Sequence, residues 1–439
     1  MYYQPVIGLE VHVELKTKSK MFCTCSAIYF GQKPNTQTCP VCLGLPGALP
    51  VPNKQAIEWC MLIGMSLHCE IPFLAKFDRK NYFYPDLAKG YQISQYDEPF
   101  CQSGYMVLSS GKRIGIRRAH MEEDTGKLLH ETVDGKKVSL IDFNRSGVPL
   151  VEIVTEPHFT NAVEVKEYLQ KLQQIVRYLA VANADMEKGE MRLEPNISLR
   201  KMGETELPGY KVEVKNINSF SFVEKAITFE IARQAKLLDT DTLPVQETRG
   251  WDEDQKLTVS QRNKEEAADY RYFPEPDIPP FVWEKTYIEQ VRKQLPELPE
   301  AKQKRFNATY SLPGYNAEIL TRERTVADYF EEAVKIGKIH AIEAKKIANW
   351  MINKKIDIET VLPATLIKEI KSVEVVEELP EDTLKKIINN VIDSHGKVVT
   401  DYRNGKENAL MFLVGQVMKE VKGKAKAETV REALINLLK

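Results

Sequence analysis

The first residues with chemical promise are Glu10, His12 and Glu14, inside the stretch Val6–Leu15. Ile7, Leu9, Val11, Val13 and Leu15 alternate with them. Period two with β-branched residues predicts a half-buried strand. Two carboxylates and an imidazole then share its second face, with Glu10 and Glu14 about 13 Å apart at roughly 3.3 Å per residue. Oxygen ligands with one nitrogen suit Mg²⁺, Mn²⁺ or another divalent cation. A solvated outer face of an antiparallel sheet is the other reading of this strand.

Further polar groups repeat the design. Ile114–Asp124 predicts a second strand ending in His120-Met-Glu-Glu-Asp124. Glu122 and Glu123 face opposite sides of it, and alternation does not choose between them. Pro149–Thr155 predicts a third strand, with Glu152 alone in an apolar run. Such a carboxylate is costly to bury unless it is paired or holds a cation. Gly189–Arg200 would set Arg192, Glu194, Asn196 and Ser198 on one face, and Lys211–Asn218 would do the same with Lys211, Glu213 and Lys215. Arg192, Asn196 and Lys215 are candidates for contacts to nucleotide or substrate phosphates. Between Lys76 and Asp86, the polar run Asp78, Arg79, Lys80 and Asn81 is interleaved with Phe77, Tyr82, Phe83 and Tyr84, and Lys89 and Gln92 lie just beyond. This reads as a positioned polar site or as a surface loop held by aromatics.

Four of the seven cysteines cluster as Cys23-x-Cys25, thirteen residues, then Cys39-Pro-Val-Cys42. Two close pairs on two turns can set four thiolates at the corners of a tetrahedron, which predicts a closed, structural zinc site. Cys60, Cys69 and Cys101 read as small buried hydrophobes.

These residues need elements to carry them. Helical spacing predicts helices over Lys54–His68, Thr160–Leu179 and Phe222 to about Leu238, and Thr248–Val259 reads as a hairpin. Asp269–Pro280 closes this half with an arginine among aromatics and a proline exit. Residues 1–292 thus form one α+β unit. After Pro296 the pattern is helical and rich in lysine, giving a helical domain over 293–378 and a helical tail over 379–439. The lysine-rich stretch Lys419–Lys426 suggests phosphate contacts to nucleic acid. At 439 residues, with 61 Lys+Arg against 62 Asp+Glu, the chain is no bulk-charge nucleic-acid binder. No apolar run reaches the roughly 20 residues a membrane helix needs. Met1–Pro5 leads straight into the first strand, so neither a signal peptide nor a membrane partner is expected, and the odd cysteine count points to a reducing cytoplasm. There is no phosphate loop of the Walker type, so any ATP is held by metal and strand side chains.

Several long strings occur together and in order: Val6–Thr17, Phe77–Asp86, His120–Asp124, Asn144-Arg145 with Pro149–Val154, Lys215–Phe220, Asp269–Asp277, Asn404-Gly-Lys and Phe412–Met418. In these strings the chain closely resembles the B subunit of the aspartyl/glutamyl-tRNA(Asn/Gln) amidotransferase (GatB family). The resemblance implies a cradle-like antiparallel-sheet catalytic domain, related to glutamine synthetase and guanidino kinases, followed by all-helical C-terminal domains. It implies ATP-dependent phosphorylation of the side-chain carboxylate of Glu-tRNA(Gln) or Asp-tRNA(Asn). Ammonia from a partner amidase subunit (GatA-like) would then displace phosphate, with a small clasp subunit (GatC-like) completing a heterotrimer. Carried over residue by residue, Glu10, His12, Glu123 and Glu152 would hold Mg²⁺, and Lys80 and Lys89 would stand along the ammonia route. The chain departs from the family at Leu193-Glu194, where Cys-Asp is usual, and is shorter between about Thr321 and Val376. Cys23, Cys25, Cys39 and Cys42 occur in only some members.

Two rivals are a free-standing ligase for a small carboxylate and a non-enzymatic RNA scaffold. Glu152→Gln bears on the scaffold, and removing the residues after about Glu378 separates the ligase from a tRNA enzyme. A tRNA enzyme is expected to show KM for its charged tRNA raised roughly tenfold or more, from lost phosphate contacts. A small-carboxylate ligase would keep full activity.

Overall fold

The computed structural model describes residues 2–263, 270–374, 380–421 and 425–438. Asp269, the 378/379 boundary and residues 422–424 of the lysine-rich stretch lie outside the described residues. The chain divides into two compact units, Met1–Lys302 and Gln303–Lys439.

The first unit opens with β1 (Tyr3–Glu14), α1 (Lys54–Ser66), β2 (Leu74–Ala75), β3 (Asp78–Asn81), β4 (Tyr91–Ser94) and β5 (Cys101–Val107). β6 (Arg113–Glu123), β7 (Lys127–Val133), β8 (Lys136–Asp142), β9 (Pro149–Thr155) and α2 (Ala162–Tyr178) follow. It continues with β10 (Met191–Lys201), β11 (Val212–Lys215), α3 (Phe220–Leu238), β12 (Glu247–Asp252), β13 (Leu257–Asn263), β14 (Phe273–Pro274), β15 (Phe281–Val282) and α4 (Lys285–Arg292).

Eight strands make one sheet in the order β13-β12-β11-β10-β1-β9-β6-β5. Its pairs are antiparallel except β11 with β12. The sheet, expected to be antiparallel, is so except at this one pair and is therefore mixed. A parallel pair needs a crossover, and α3 supplies it between β11 and β12. β3 pairs separately with β4 and β14, and β7 with β8.

β1 sits near the middle of the sheet, which explains why its alternation is so strict. Ile7, Leu9, Val11 and Val13 are all buried. They join one hydrophobic cluster with Ile57 and Met61 of α1, Leu169 and Leu172 of α2, and Val223 and Ile227 of α3. Area of this kind, at roughly 25 cal/mol per Å², is what anchors the sheet. α1 is buried around most of its circumference rather than along one stripe, from Ala56 to Ser66 with few gaps. The N-cap of α2 is Asn161, whose side chain accepts from Glu164 N. Thr160 does the reciprocal work, its N–H donating to the Glu164 carboxylate at 2.8 Å.

In the second unit come α6 (Gly314–Leu320), α7 (Arg324–Ile339), α8 (Ala344–Lys354), α9 (Pro363–Glu374), α10 (Glu381–Ser394), α11 (Gly396–Arg403), α12 (Asn408–Val421) and α13 (Ala427–Leu438). They are preceded by α5 (Pro299–Tyr310), which runs across the unit boundary. Two hydrophobic clusters form within it, one over Phe306–Ile370 and one over Leu384–Leu438. No helix among the described residues is long and apolar enough to cross a membrane.

Candidate active site

The polar face of the sheet is written by register. His12 lies opposite Glu152 on β9, and Glu152 lies opposite His120 on β6. On the other side Glu10 lies opposite Glu194 on β10, and Asn196 lies opposite Glu213 on β11. Period two puts all of these on one face. Two acidic groups result, with ligand atoms within 4.8 Å of one another in each: His12, Glu122 and Glu152, and Glu10, Glu194 and Glu213.

In the first group His12 Nε2 stands 3.5 Å from Glu152, and His120 Nε2 stands 3.3 Å from Glu152 and 3.5 Å from Glu122. Lys80 Nζ is 3.7 Å from Glu122, which also accepts from Ser94 Oγ at 2.7 Å and Gln92 Nε2 at 3.1 Å. Burial alone would raise the Glu152 carboxyl, but the two imidazoles outweigh it and hold Glu152 well below the usual range. Burial works against charge on His12 as well. The hydrogen bond and charge of Glu152 overcome this and raise His12 to about 9. Burial likewise opposes the charge of Lys80, yet Glu122 and Glu152 keep it a firm ammonium.

The second group is balanced differently. Burial, then the charge of Glu152, Glu194 and Glu213, raises the Glu10 carboxyl. Asn196 Nδ2 donates to Glu10 at 3.0 Å, and Lys215 Nζ donates to Glu194 at 2.8 Å. Further along β1, burial and Asp124 push Glu14 up to about 9, and the Tyr29 hydroxyl donates to it at 3.0 Å. Arg192 donates to Asp124 at 2.6 Å. Two buried polar atoms on this face have no partner: Arg192 Nε and Asn196 Oδ1. Such atoms mark places where a ligand can complete the hydrogen bonding.

The cysteines also converge. Cys23, Cys25, Cys39 and Cys42 bring their sulfurs within 4.8 Å of one another. The Cys23 thiol donates to Cys42 and, foremost among several causes, holds Cys42 down at about 4. Cys60, Cys69 and Cys101 are buried, as small hydrophobes should be.

Comparison with known proteins settles the family. A model described as the GatB/GatE catalytic domain matches residues 5–289, and one described as the GatB domain matches residues 330–438. The B subunit of the aspartyl/glutamyl-tRNA(Asn/Gln) amidotransferase of Caldanaerobacter subterraneus subsp. tengcongensis is 46% identical over 478 aligned positions, covering 99% of each chain. The same-named protein of Carboxydothermus hydrogenoformans is 45% identical over 98% of each chain. That of Thermodesulfovibrio yellowstonii is 44% identical over 100% of each. The chain belongs to the GatB family.

The structure distributes the residues expected to hold Mg²⁺ over more than one group. Glu10, His12, Glu123 and Glu152 do not form one ligand group. Glu123 lies on the opposite face of β6, where it accepts from Ile93 N at 2.9 Å and pairs with Lys89. Its neighbour Glu122 faces His12 and Glu152 instead. The cause is a bulge between Ile116 and Arg118, which reverses the alternation of β6 partway along. Ile114 and Ile116 point to the core before it, and Ala119 and Met121 after it. Read from Ala119 onward, the sequence assigns Glu122 to the polar face. Glu10 falls elsewhere too, grouping with Glu194 and Glu213. Glu194 and Glu213, with Glu122 and His120, join these groups without having been among the expected site residues. Glu194 itself puts a carboxylate on this face. Lys80 and Lys89 part company too, Lys80 at Glu122 and Lys89 at Glu123. Arg192, Asn196 and Lys215 all line the polar face as their strands implied.

The donor sets fit hard divalent cations, being carboxylate-rich with a single imidazole. Cation binding requires neutral His12, which carries its proton at neutral pH. Binding of Mn²⁺ at pH 7.5 is therefore expected to release about one proton, and affinity to rise up to about tenfold per pH unit until about pH 9. The metal-free protein runs the other way. Its stabilisation by charged His12 is complete below about pH 6.5 and is lost as pH rises through about 9. Calorimetric titration in two buffers of different ionisation enthalpy reads the proton directly, and no release would remove His12 from the ligand set.

Proposed function

We propose that this chain is the B subunit of a tRNA-dependent amidotransferase that activates the side-chain carboxylate of Glu-tRNA(Gln), Asp-tRNA(Asn) or both. The single observation that carries this reading is the pairing of two carboxylate groups, each of metal-ligand spacing, on one sheet face beside Arg192 and Asn196.

The chemistry demands such a face. A carboxylate is a poor electrophile at neutral pH. Transfer of the γ-phosphoryl group of ATP to a carboxylate oxygen makes an acyl phosphate and releases ADP. Ammonia then attacks the carbonyl carbon, the amide bond forms, and phosphate departs with its bonding electrons. The first step drives an anion against a polyanion, so charge neutralisation is the main task. Mg²⁺ or Mn²⁺, held by His12, Glu122 and Glu152 and by Glu10, Glu194 and Glu213, would offset the phosphate charge. Arg192, with a free Nε, and Lys215 are suited to orient phosphate oxygens. Asn196 fixes Glu10. His120 and Lys80 keep Glu152 and Glu122 ionised. Lys80 and Lys89, each beside a carboxylate, line polar positions that an ammonia molecule could follow.

A cradle-shaped sheet of the glutamine synthetase and guanidino kinase kind accords with this use of strands in place of a phosphate loop. Ammonia would come from glutamine through a separate amidase subunit, with a small third subunit clasping the two. Structural Zn²⁺ at Cys23, Cys25, Cys39 and Cys42 fits the tetrahedral demands of four thiolates.

The test uses the chain assembled with its partner subunits, charged tRNA, ATP, Mg²⁺ and ammonium chloride in place of glutamine. Conversion of the attached amino acid to its amide is expected. Glu152→Gln should lower kcat by about a hundredfold or more. Amide formation that is unaffected by Glu152→Gln would exclude this site as the centre of the chemistry.

A further inference from the structure

Beside the His12–Glu122–Glu152 group lies an aromatic surface that the reaction as described leaves unused. Lys80 forms the join, 3.7 Å from Glu122 on one side and 5.1 Å from the Tyr270 ring centroid on the other. From there the rings run on without a break. Tyr82 and Tyr272 each meet Tyr270 edge-on at 6.0 Å, and Tyr96 stacks on Tyr272 at 4.4 Å with the planes 15° apart. The set is tied to the site by polar contacts as well. Tyr82 donates its hydroxyl to Gln92 at 3.3 Å, and Gln92 donates to Glu122.

This surface is built and held. Asn81 N donates to Tyr270 O at 2.9 Å, and Asn81 Nδ2 donates to Arg271 O at 2.8 Å. Arg271 sits in the left-handed region at φ 42°, a costly conformation for a side chain with a Cβ. It turns the chain so that Tyr270 and Tyr272 flank it. Arg79 then clamps Glu275 through two short bonds, 2.7 and 2.8 Å. Yet Tyr96 stays 53% exposed and Tyr270 36% exposed. Rings fixed this firmly and left open to solvent are a stacking platform.

We propose that Tyr82, Tyr96, Tyr270 and Tyr272 form the seat of the terminal nucleoside of the charged tRNA. The proposal rests on the function proposed above and deepens it. The reacting carboxylate must lie at the acidic groups. Only the short amino-acid side chain and one ester separate it from the terminal ribose, so the first base of the substrate falls close by. The aromatic surface begins one lysine away. The adenine of ATP lies further from its reacting atom, beyond two more phosphates and a ribose. Unpaired tRNA ends present open π faces, which aromatic side chains bind without reading sequence.

The experiment uses the full complex with charged tRNA and measures KM for tRNA and for ATP separately. Tyr96→Leu keeps bulk and removes the π face. KM for tRNA is expected to rise about tenfold, in line with the loss of one base–aromatic stack, while KM for ATP moves less than about twofold. Tyr96→Phe should recover most of the affinity. A stable 3′-amide analogue of glutamyl-adenosine should inhibit the native complex competitively with tRNA, and should lose potency against Tyr96→Leu by the same factor. A rise in KM for ATP alone would assign the rings to the nucleotide and overturn the proposal. Loss of a partner subunit from the complex would make the surface a protein interface and overturn it too, as would unchanged kinetics. Failure of the native complex to form any amide is a different result, and it would defeat the proposed function itself.

Discussion

Like charges crowded on one face of a sheet are the constraint on which this fold depends. Glu122 and Glu152, and separately Glu10, Glu194 and Glu213, bring carboxylate oxygens within 4.8 Å of one another on neighbouring strands. Unpaired burial of even one would be prohibitive. The protein answers with cations placed on the same face or reaching over it: His12, His120, Lys80 and Lys215. The compensation is uneven. Glu152 and Glu122 are held ionised, whereas Glu10 and Glu14 are pushed toward protonation. That unevenness separates a group whose carboxylates are already ionised from one that gains charge as a ligand arrives. Arg192 Nε and Asn196 Oδ1, buried without partners, lie on the same face and express the same incompleteness.

The rest of the first unit serves this face. The apolar side of β1 and its neighbours packs against α1, α2 and α3, which keeps the register that aligns the carboxylates. On the other side, the cysteine loop reaches the face through Tyr29 and Glu14. It also closes on Lys89 at Gly44. That residue has φ 66°, and a Cβ there would collide with the lysine side chain, so only glycine fits. A zinc site at the four sulfurs would steady both contacts. The short strand β14 completes the arrangement by binding Tyr270 and its neighbours to β3.

Much of this was legible in the residues alone because β1 and β10 alternate without interruption and Glu152 is the one charged residue in the apolar run of β9. Their polar positions could be read by counting twos, and Arg192, Asn196 and Glu152 fell where expected. Glu122 did not, for a definite reason. One extra residue in β6 shifts the count, and a bulge leaves no strong mark in sequence beyond Arg117 and Arg118 side by side. Glu194 and Glu213 were visible on their faces, yet strand pairing decides that they meet Glu10, and pairing is not written in either strand by itself. The parallel pair β11–β12 escaped for the same reason. It follows from where α3 returns the chain.

Glu122 and Glu123 are neighbours in sequence that lie on opposite faces of β6, and only Glu122 faces His12 and Glu152. Titration of Mn²⁺ into the native protein, Glu122→Gln and Glu123→Gln, followed by electron paramagnetic resonance of free Mn²⁺, measures the difference directly. Glu122→Gln is expected to weaken the ion at least about tenfold and Glu123→Gln to leave it near the native affinity. Weakening by Glu123→Gln with Glu122→Gln unaffected would contradict the assignment and the reading of β6 on which it stands.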